Sequence, residues 1–243
     1  MLHLNINPEY PYVYETHFHT RQGSACARNT GAEIAEACKK AGYTGVVVTD
    51  HFFYGNTAVD RSLNWEDWVH EFCKGYYSAK EYGDANDLQV FFGWESCYNA
   101  TEFLIYGLSP EWLLAHPEIK DATIEEQFEL VHADGGFIVQ AHPYREEAYI
   151  PEIRLFPKHV DAVEGVNASH ASHRSMSHNN PEFDVRAKEY AKQNNLPMTA
   201  GSDIHGVDLL LGGMAFKEKW NDIHDYGRIV KSRGDYLLLT GNE

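Results

Sequence analysis

The chain has 243 residues, of which 43% are hydrophobic and 23% are charged. This composition is typical of a soluble globular protein, and the length is that of one domain such as a single barrel. The acidic residues number 36 and the basic residues 20, for a net charge of −16. That balance argues against proteins that bind nucleic acid or anionic membranes through basic surfaces. We therefore expect neither partner, and expect any anionic substrate to be attracted by a local cationic group such as a bound metal ion.

The sequence contains no segment with the apolar length of a membrane span, and its start lacks the basic and apolar blocks of a signal peptide. We therefore expect a cytoplasmic protein. The four cysteines include no C-x-x-C pair and match no zinc-ribbon or disulfide spacing. We expect them to be free thiols.

Short apolar runs alternate with amphipathic segments along the whole chain. The runs predict strands at 12–16, 45–49, 88–94, 103–106, 137–140, 162–166, 198–200 and 236–239. Capping boxes at Thr30 and Thr123 and an N-cap at Asn64 predict helices from 31 to about 41, 124 to about 134 and 65 to about 82. Two further helices are predicted at 183–193 and 223–231. This alternation favours βα units and a mainly parallel sheet, whose functional site lies at the carboxyl ends of the strands.

Six of these apolar runs are followed by a histidine or a carboxylate. An H-x-H pair on a strand places both imidazoles on one face, where they can chelate one ion. The residues that follow the six runs are His17 and His19, Asp50 and His51, Glu95, His142, the group Asn167, His170 and His173, and finally Asp203 and His205. Because parallel strands end at the same edge, we expect these side chains to form a metal site. His116 repeats the Ala-His-Pro tripeptide of His142 but follows no strand, and we expect it at the surface, like His3, His70, His132, His159, His178 and His224.

The motifs H-x-H, Thr-Asp-His, Ala-His-Pro and Gly-Ser-Asp-x-His, with the strand-end Glu95, resemble the PHP (polymerase and histidinol phosphatase) family in order and over residues 12–206. The resemblance implies a distorted (β/α)7 barrel with two or three divalent metal ions at the carboxyl ends of the strands. It also implies phosphoester hydrolysis.

The resemblance further implies the roles of individual residues. His17, His19, Glu95 and Asp203 would bind one ion, and Glu95 would bridge to a second ion held by His142 and a ligand after Glu164. For that ligand the sequence leaves Asn167, His170 and His173 open, with the histidines favoured. His51 and His205 would hold a third ion or orient substrate. The chain has Cys26 where many members carry Asp or His, so that Cys26 is a soft ligand or the third site is weak or empty.

The chemistry of paired metal ions agrees with these roles. Two ions sharing a carboxylate lower the pKa of a bound water and produce a hydroxide that can attack phosphorus. Imidazole and carboxylate ligands suit Zn, Fe or Mn. Arg145 is the candidate phosphate clamp and catalytic cation, with Arg174 and Arg21 as lesser substrate-binding candidates. Asp50, next to His51, is a candidate catalytic residue that orients the imidazole, and a strand-terminal cap is an equally good explanation.

The leading hypothesis is a stand-alone metal-dependent phosphoesterase acting on a small phosphorylated metabolite. One alternative is another metal-dependent barrel hydrolase, similar to TatD-type nucleases or amidohydrolases, which also carry an early H-x-H. The second alternative is a non-catalytic metal-binding PHP module. The sequence does not specify the natural substrate, the metal or the oligomeric state.

Overall fold

A computed structural model describes residues 2–243. The strands are β1 (Tyr12–Phe18), β2 (Gly45–Val48), β3 (Gln89–Tyr98), β4 (Thr101–Tyr106), β5 (Phe137–Gln140), β6 (Ala162–Asn167), β7 (Met198–Gly201), β8 (Gly212–Phe216) and β9 (Tyr236–Thr240). The helices are α1 (Gly31–Ala41), α2 (Trp65–Phe72), α3 (Lys74–Asn86), α4 (Pro110–Ala115), α5 (Ile124–Ala133), α6 (Ala168–Ala171), α7 (Glu182–Gln193) and α8 (Ile223–Lys231), with a 3₁₀ turn at Pro117–Lys120.

The strands form one sheet in the order β7-β6-β5-β4-β3-β2-β1-β8-β9. The sheet curls so that β7, at one end of the strand order, comes beside the carboxyl end of β1. There Phe18 and Ile204 form a parallel bridge, and the amide of Asp203 donates a hydrogen bond to the carbonyl of His17 over 2.8 Å. The result is a nearly closed, barrel-shaped α/β fold, which confirms the predicted fold class.

The prediction of a mainly parallel sheet is wrong. Four neighbouring strand pairs are parallel and four are antiparallel. The main departure is the β3–β4 hairpin, whose two turn residues, Asn99 and Ala100, both have positive φ angles of 51° and 62°. Such a turn joins two strands directly without a crossover helix. The sequence did not indicate this turn, because its second residue is an alanine instead of the usual glycine.

Strand β8 was not predicted because its glycine-rich start has no strand-like pattern. At Gly213, with φ of +109°, a Cβ atom would lie 2.3 Å from the carbonyl oxygen of Tyr14. Glycine therefore lets β8 pair closely with β1, although the same residue reads as a loop in the sequence.

The helix starts follow the predicted caps. Thr30 and Thr123 form complete capping boxes with Glu33 and Glu126, and the Asn64 side chain caps α2. The predicted helix from 65 to 82 is instead two helices, α2 and α3, interrupted at Cys73, where ψ is −4°.

Aromatic side chains fill the space between the sheet and its covering helices. Trp68, Phe72 and Trp94 pack around Phe52 on one side of the barrel. Tyr14 stacks on Trp220 with ring centroids 3.6 Å apart on another side. Burying such side chains contributes about 1.5–3 kcal/mol each. None of the helices in residues 2–243 has both the length and the apolar character needed to cross a membrane.

Candidate metal centre

Most of the predicted ligands meet at the carboxyl end of the barrel, at the base of an open cleft of about 380 Å³. The lining residues are Cys26, His51, Asn56, Glu95, Glu102, His142, Arg145, Tyr149, His178, Asp203 and His205. His17 and His19 lie beneath them and are fully buried.

Glu95 is the centre of the cluster and is fully buried. Its Oε1 lies 3.2 Å from the Nε2 atoms of both His17 and His142. Its Oε2 lies 2.7 Å from His51 Nδ1 and 3.6 Å from His19 Nε2. One carboxylate is therefore surrounded by four imidazoles that come from three different strand ends.

Hydrogen bonds fix which nitrogen of the H-x-H histidines faces the cluster. His17 donates from Nδ1 to Glu164 Oε1 over 2.8 Å. The Ser24 hydroxyl donates to Asp50 over 2.8 Å, so its oxygen accepts from His19 Nδ1 at 3.1 Å. In the neutral rings, which a metal ion would require, both Nε2 atoms carry lone pairs, and they lie 3.2 Å apart. Two lone pairs at this separation are what a shared metal ion requires.

The residues fit divalent metal ions. His51 Nδ1 and Glu95 Oε2 are buried and have no hydrogen-bond partner among residues 2–243, although they lie 2.7 Å apart. Four overlapping groups have ligand atoms within 4.8 Å of one another: His17, His19 and Asp203; His17, Glu95 and His142; His19, His51 and His205; and His51, Glu95 and Glu102. Neutral imidazole and carboxylate are ligands that Zn, Fe and Mn accept.

The carboxylates of the cluster favour protonation of His17. Burial alone would lower the pKa of His17, yet Glu164, Asp203 and Glu95 hold it well above its ordinary value. Burial opposes ionisation of Glu95, whereas the neighbouring His17 and His51 favour it. The net result is that the pKa of Glu95 lies well below its ordinary value. A metal ion would have to displace protons from the histidines, so that metal binding releases protons.

Asp203 divides its two oxygens between the cluster and Arg145. Its Oδ1 lies 3.1 Å from His19 Nε2, whereas its Oδ2 accepts a hydrogen bond of 2.6 Å from Arg145. Arg145 also donates from Nε to His170 Nε2 over 2.9 Å, and His170 donates from Nδ1 to Asp184 over 2.8 Å. This continuous, buried chain of four side chains engages both nitrogens of His170.

Asp50 lies behind the cluster. Its carboxylate accepts three hydrogen bonds of 2.6–2.8 Å, from the amide and hydroxyl of Thr20 and from the hydroxyl of Ser24. Burial raises the pKa of Asp50 to about 6. Through Ser24, which also accepts a hydrogen bond from the amide of His51 at 2.9 Å, Asp50 holds the loop that supports His19 and His51.

Three other predicted residues lie away from the cluster. His173 is exposed and bonds to Asn242 over 2.5 Å. Arg174 donates to the carbonyl of Gly241, and Arg21 is exposed outside the cleft. Hydrogen bonds to Asn242 and Gly241 hold His173 and Arg174 beside the segment that follows β9, outside the cleft.

One expectation about another side chain needs correction. His178, expected at the surface, lines the cleft and bonds to Glu147 over 2.6 Å, because the loop after α6 folds back over the mouth.

Cys26 lies at the rim between His205 and His51. Burial opposes thiolate formation, but hydrogen bonds to these two histidines lower the pKa of Cys26 to about 6.

Glu102 is the residue that sequence reasoning missed. Its carboxylate lies 3.5 Å from His142 Nε2 and 4.0 Å from His51 Nδ1. Glu102 is near the start of β4, and an antiparallel strand begins where parallel strands end. A search restricted to residues after apolar runs therefore passes over Glu102. Only knowledge that β3 and β4 form an antiparallel hairpin would have pointed to it.

Comparisons with known proteins show similarity in structure. No family model matches the chain, and no curated protein matches it by sequence. A two-domain Bacteroides vulgatus protein, described as containing a predicted PHP-like metal-dependent phosphoesterase, superposes with a TM-score of 0.67 at 16% identity over 96% of this chain. This chain spans 66% of the length of that protein.

Two further structures share the fold. A Bifidobacterium adolescentis protein described as a candidate metal-dependent phosphoesterase matches with a TM-score of 0.56 at 17% identity, covering 93% of this chain and 98% of its own. A Chromobacterium violaceum amidohydrolase with bound sulfate and no metal matches with a TM-score of 0.52 at 13% identity, covering 79% and 87%. The chain thus has a barrel fold like those of PHP-like and amidohydrolase-like proteins.

Proposed function

We propose that this protein is a metal-dependent phosphoesterase that hydrolyses a phosphoester bond in a small phosphorylated metabolite. The observation that carries the proposal is the buried Glu95 carboxylate, surrounded by imidazoles of His17, His19, His51 and His142 at the base of an open cleft. Burying a carboxylate is costly unless it is compensated by neighbouring cations or metal ions.

The side chains divide into ligands and the groups that orient them. His17, His19, Glu95 and Asp203 would hold one ion, and Glu95 and His142 would contribute to a second, with His51 and His205 beside them. Bound divalent ions supply an activated water and polarise a phosphoryl oxygen. Glu164 orients His17 and also accepts a hydrogen bond of 2.9 Å from the amide of His142.

Arg145 is the single Arg or Lys among the residues that line the cleft. Its Nε and Nη2 are used by His170, Ser169 and Asp203, and Nη1 makes no hydrogen bond within residues 2–243. Nη1 is therefore the group that would contact a substrate phosphate. Asp203 holds the guanidinium in place for that contact.

The same observation supports a second candidate. Because most of the Arg145 donors are engaged within the protein, the cleft offers less cationic surface than a dedicated phosphate site. Hydrolysis of a C–N bond by the same metal centre, as in amidohydrolases, is the alternative function.

The test compares His142→Ala and Glu95→Ala with the matched control His116→Ala, which alters the same Ala-His-Pro tripeptide outside the site. Hydrolysis of p-nitrophenyl phosphate by Mn²⁺-loaded and Zn²⁺-loaded protein should fall at least about 1,000-fold in the first two variants. It should be unchanged in the control. Circular dichroism checks that each variant is folded.

Full activity in folded His142→Ala or Glu95→Ala would contradict the proposal. So would wild-type protein that binds no metal. Hydrolysis of amide or lactam substrates with no phosphomonoesterase activity would favour the second candidate.

A further inference from the structure

The second metal position lacks one of the ligands that the family resemblance implies. That resemblance assigns the ligand to the segment after Glu164, yet Asn167, His170 and His173 are all engaged elsewhere. We propose that Glu102, near the start of the antiparallel strand β4, supplies this ligand on the side of the cluster lined by His142 and His51. The inference rests on the proposed metal-dependent function.

In the segment after Glu164, Asn167 and His170 have no free ligand atom, His173 lies outside the cleft, and His178, which lines the cleft, belongs to none of the groups whose ligand atoms lie within 4.8 Å of one another. His170 accepts from Arg145 at Nε2 and donates to Asp184 from Nδ1. Asn167 donates to Glu164 over 3.0 Å and accepts two hydrogen bonds from Ser169. Recruiting either residue would break a buried network and leave a buried polar group without its partner.

Strand register places Glu102 beside the bridging carboxylate. Glu95 pairs with Leu104 across the hairpin, and Glu102 pairs with Cys97. Residues two apart on a strand share a face, so that Glu102 is the diagonal neighbour of Glu95 on the cluster side of the sheet. The isolated bridge between His51 and Glu95 brings β2 to the same place.

The carboxylate of Glu102 is available for a metal ion. Its oxygens accept no hydrogen bond from any nitrogen or hydroxyl donor in residues 2–243, and its side chain is 12% exposed to the cleft. One of its oxygens belongs with His51 and Glu95 to a group whose ligand atoms lie within 4.8 Å of one another. In that group His51 Nδ1 and Glu95 Oε2 are the two buried atoms without hydrogen-bond partners.

The test counts metal ions per chain after loading with Mn²⁺ or Zn²⁺ and removing excess ion by gel filtration. Glu102→Gln keeps the shape of the side chain and removes its charge. We expect this variant to lose one equivalent relative to wild type, or to bind its last ion at least about tenfold more weakly in chelator competition. Glu147→Gln is the matched control, since it removes a carboxylate at the cleft mouth, and its count should equal that of wild type.

A folded Glu102→Gln variant with the wild-type count and affinity would overturn the inference. A lost equivalent in His170→Gln or His173→Gln, with Glu102→Gln unaffected, would overturn it in favour of the segment after Glu164. If Glu102→Gln does not fold, Glu102→Ala is counted instead, because truncation beside an open cleft leaves no sealed cavity. Wild-type protein that binds no ion would overturn the proposed function itself.

Discussion

Two loops at the carboxyl end of the barrel are built in the same way and have different results. The first loop, residues 19–30, follows β1, and the sixth loop, residues 168–181, follows β6. Each is organised by one buried aspartate, Asp50 in the first case and Asp184 in the second. Burial raises the pKa of Asp50 to about 6 and that of Asp184 to about 7.

The two loops differ in whether the second ring nitrogen of a histidine is left free for a metal ion. In the first loop Ser24 occupies only Nδ1 of His19, which leaves Nε2 facing Asp203. In the sixth loop Asp184 and Arg145 occupy both nitrogens of His170. A histidine after a strand is therefore a candidate ligand only when the surrounding network leaves one nitrogen free.

The largest expected effect breaks the network of the sixth loop. Arg145→Met should lower the free energy of unfolding by about 3–5 kcal/mol in chelator-treated protein, because it leaves Asp203 buried without its guanidinium partner. Added Mn²⁺ should reduce this loss, since a cation would again face Asp203. Urea denaturation with and without Mn²⁺ measures both values.

The control for this variant is Arg186→Met, which removes a surface pair with Glu146 and should cost at most about 1 kcal/mol. Equal stability of Arg145→Met and wild type would mean that Arg145 serves only the substrate. The two loops would then differ less than we argue.

A smaller effect is expected from the first loop. Asp50→Ala removes the acceptor of three buried hydrogen bonds and should destabilise the protein by about 3 kcal/mol. Because Ser24 then loses its fixed orientation, metal affinity should also fall about tenfold. Denaturation and chelator competition measure the two effects; unchanged metal affinity in a destabilised variant would show that the loop does not position His19 and His51.

The smallest expected effect concerns pH. Asp184 binds its proton more tightly in the folded than in the unfolded protein, so that the free energy of unfolding should fall as the pH rises from 3.8 to about 7. Asp184→Asn removes this contribution and should gain about 2–3 kcal/mol relative to wild type between about pH 5 and about pH 8. Parallel pH profiles of the two proteins would contradict the shift.

The sequence predicts local structure well where the signal is local. The capping boxes of α1 and α5 and the β-branched run of β2 lie where expected, because propensity, capping and burial agree there. Strand direction is set by long-range pairing, and neither the β3–β4 turn nor the glycine-rich β8 carried a pattern that the sequence could show.

The sequence predicts where the candidate site lies but not all of the residues that form it. Rules for parallel strands find His17, His51 and His142, because these follow apolar runs. These rules pass over Glu102, which lies near the start of a strand instead of after one. They also do not show that both ring nitrogens of His170 already make hydrogen bonds. Those facts depend on chain direction and on partners distant in sequence, such as Asp184 and Arg145.

The backbone at two of the ligand positions limits how this centre could change over time. His142 and Asp203 have φ angles of 25° and 55°, a region that side chains other than those of Gly, Asn and Asp enter at a cost. At His17 and Glu102 the backbone is extended and accepts any side chain. Evolutionary exchange of ligands, and with it a change of preferred metal, is therefore expected to begin at the strand positions rather than at His142 and Asp203.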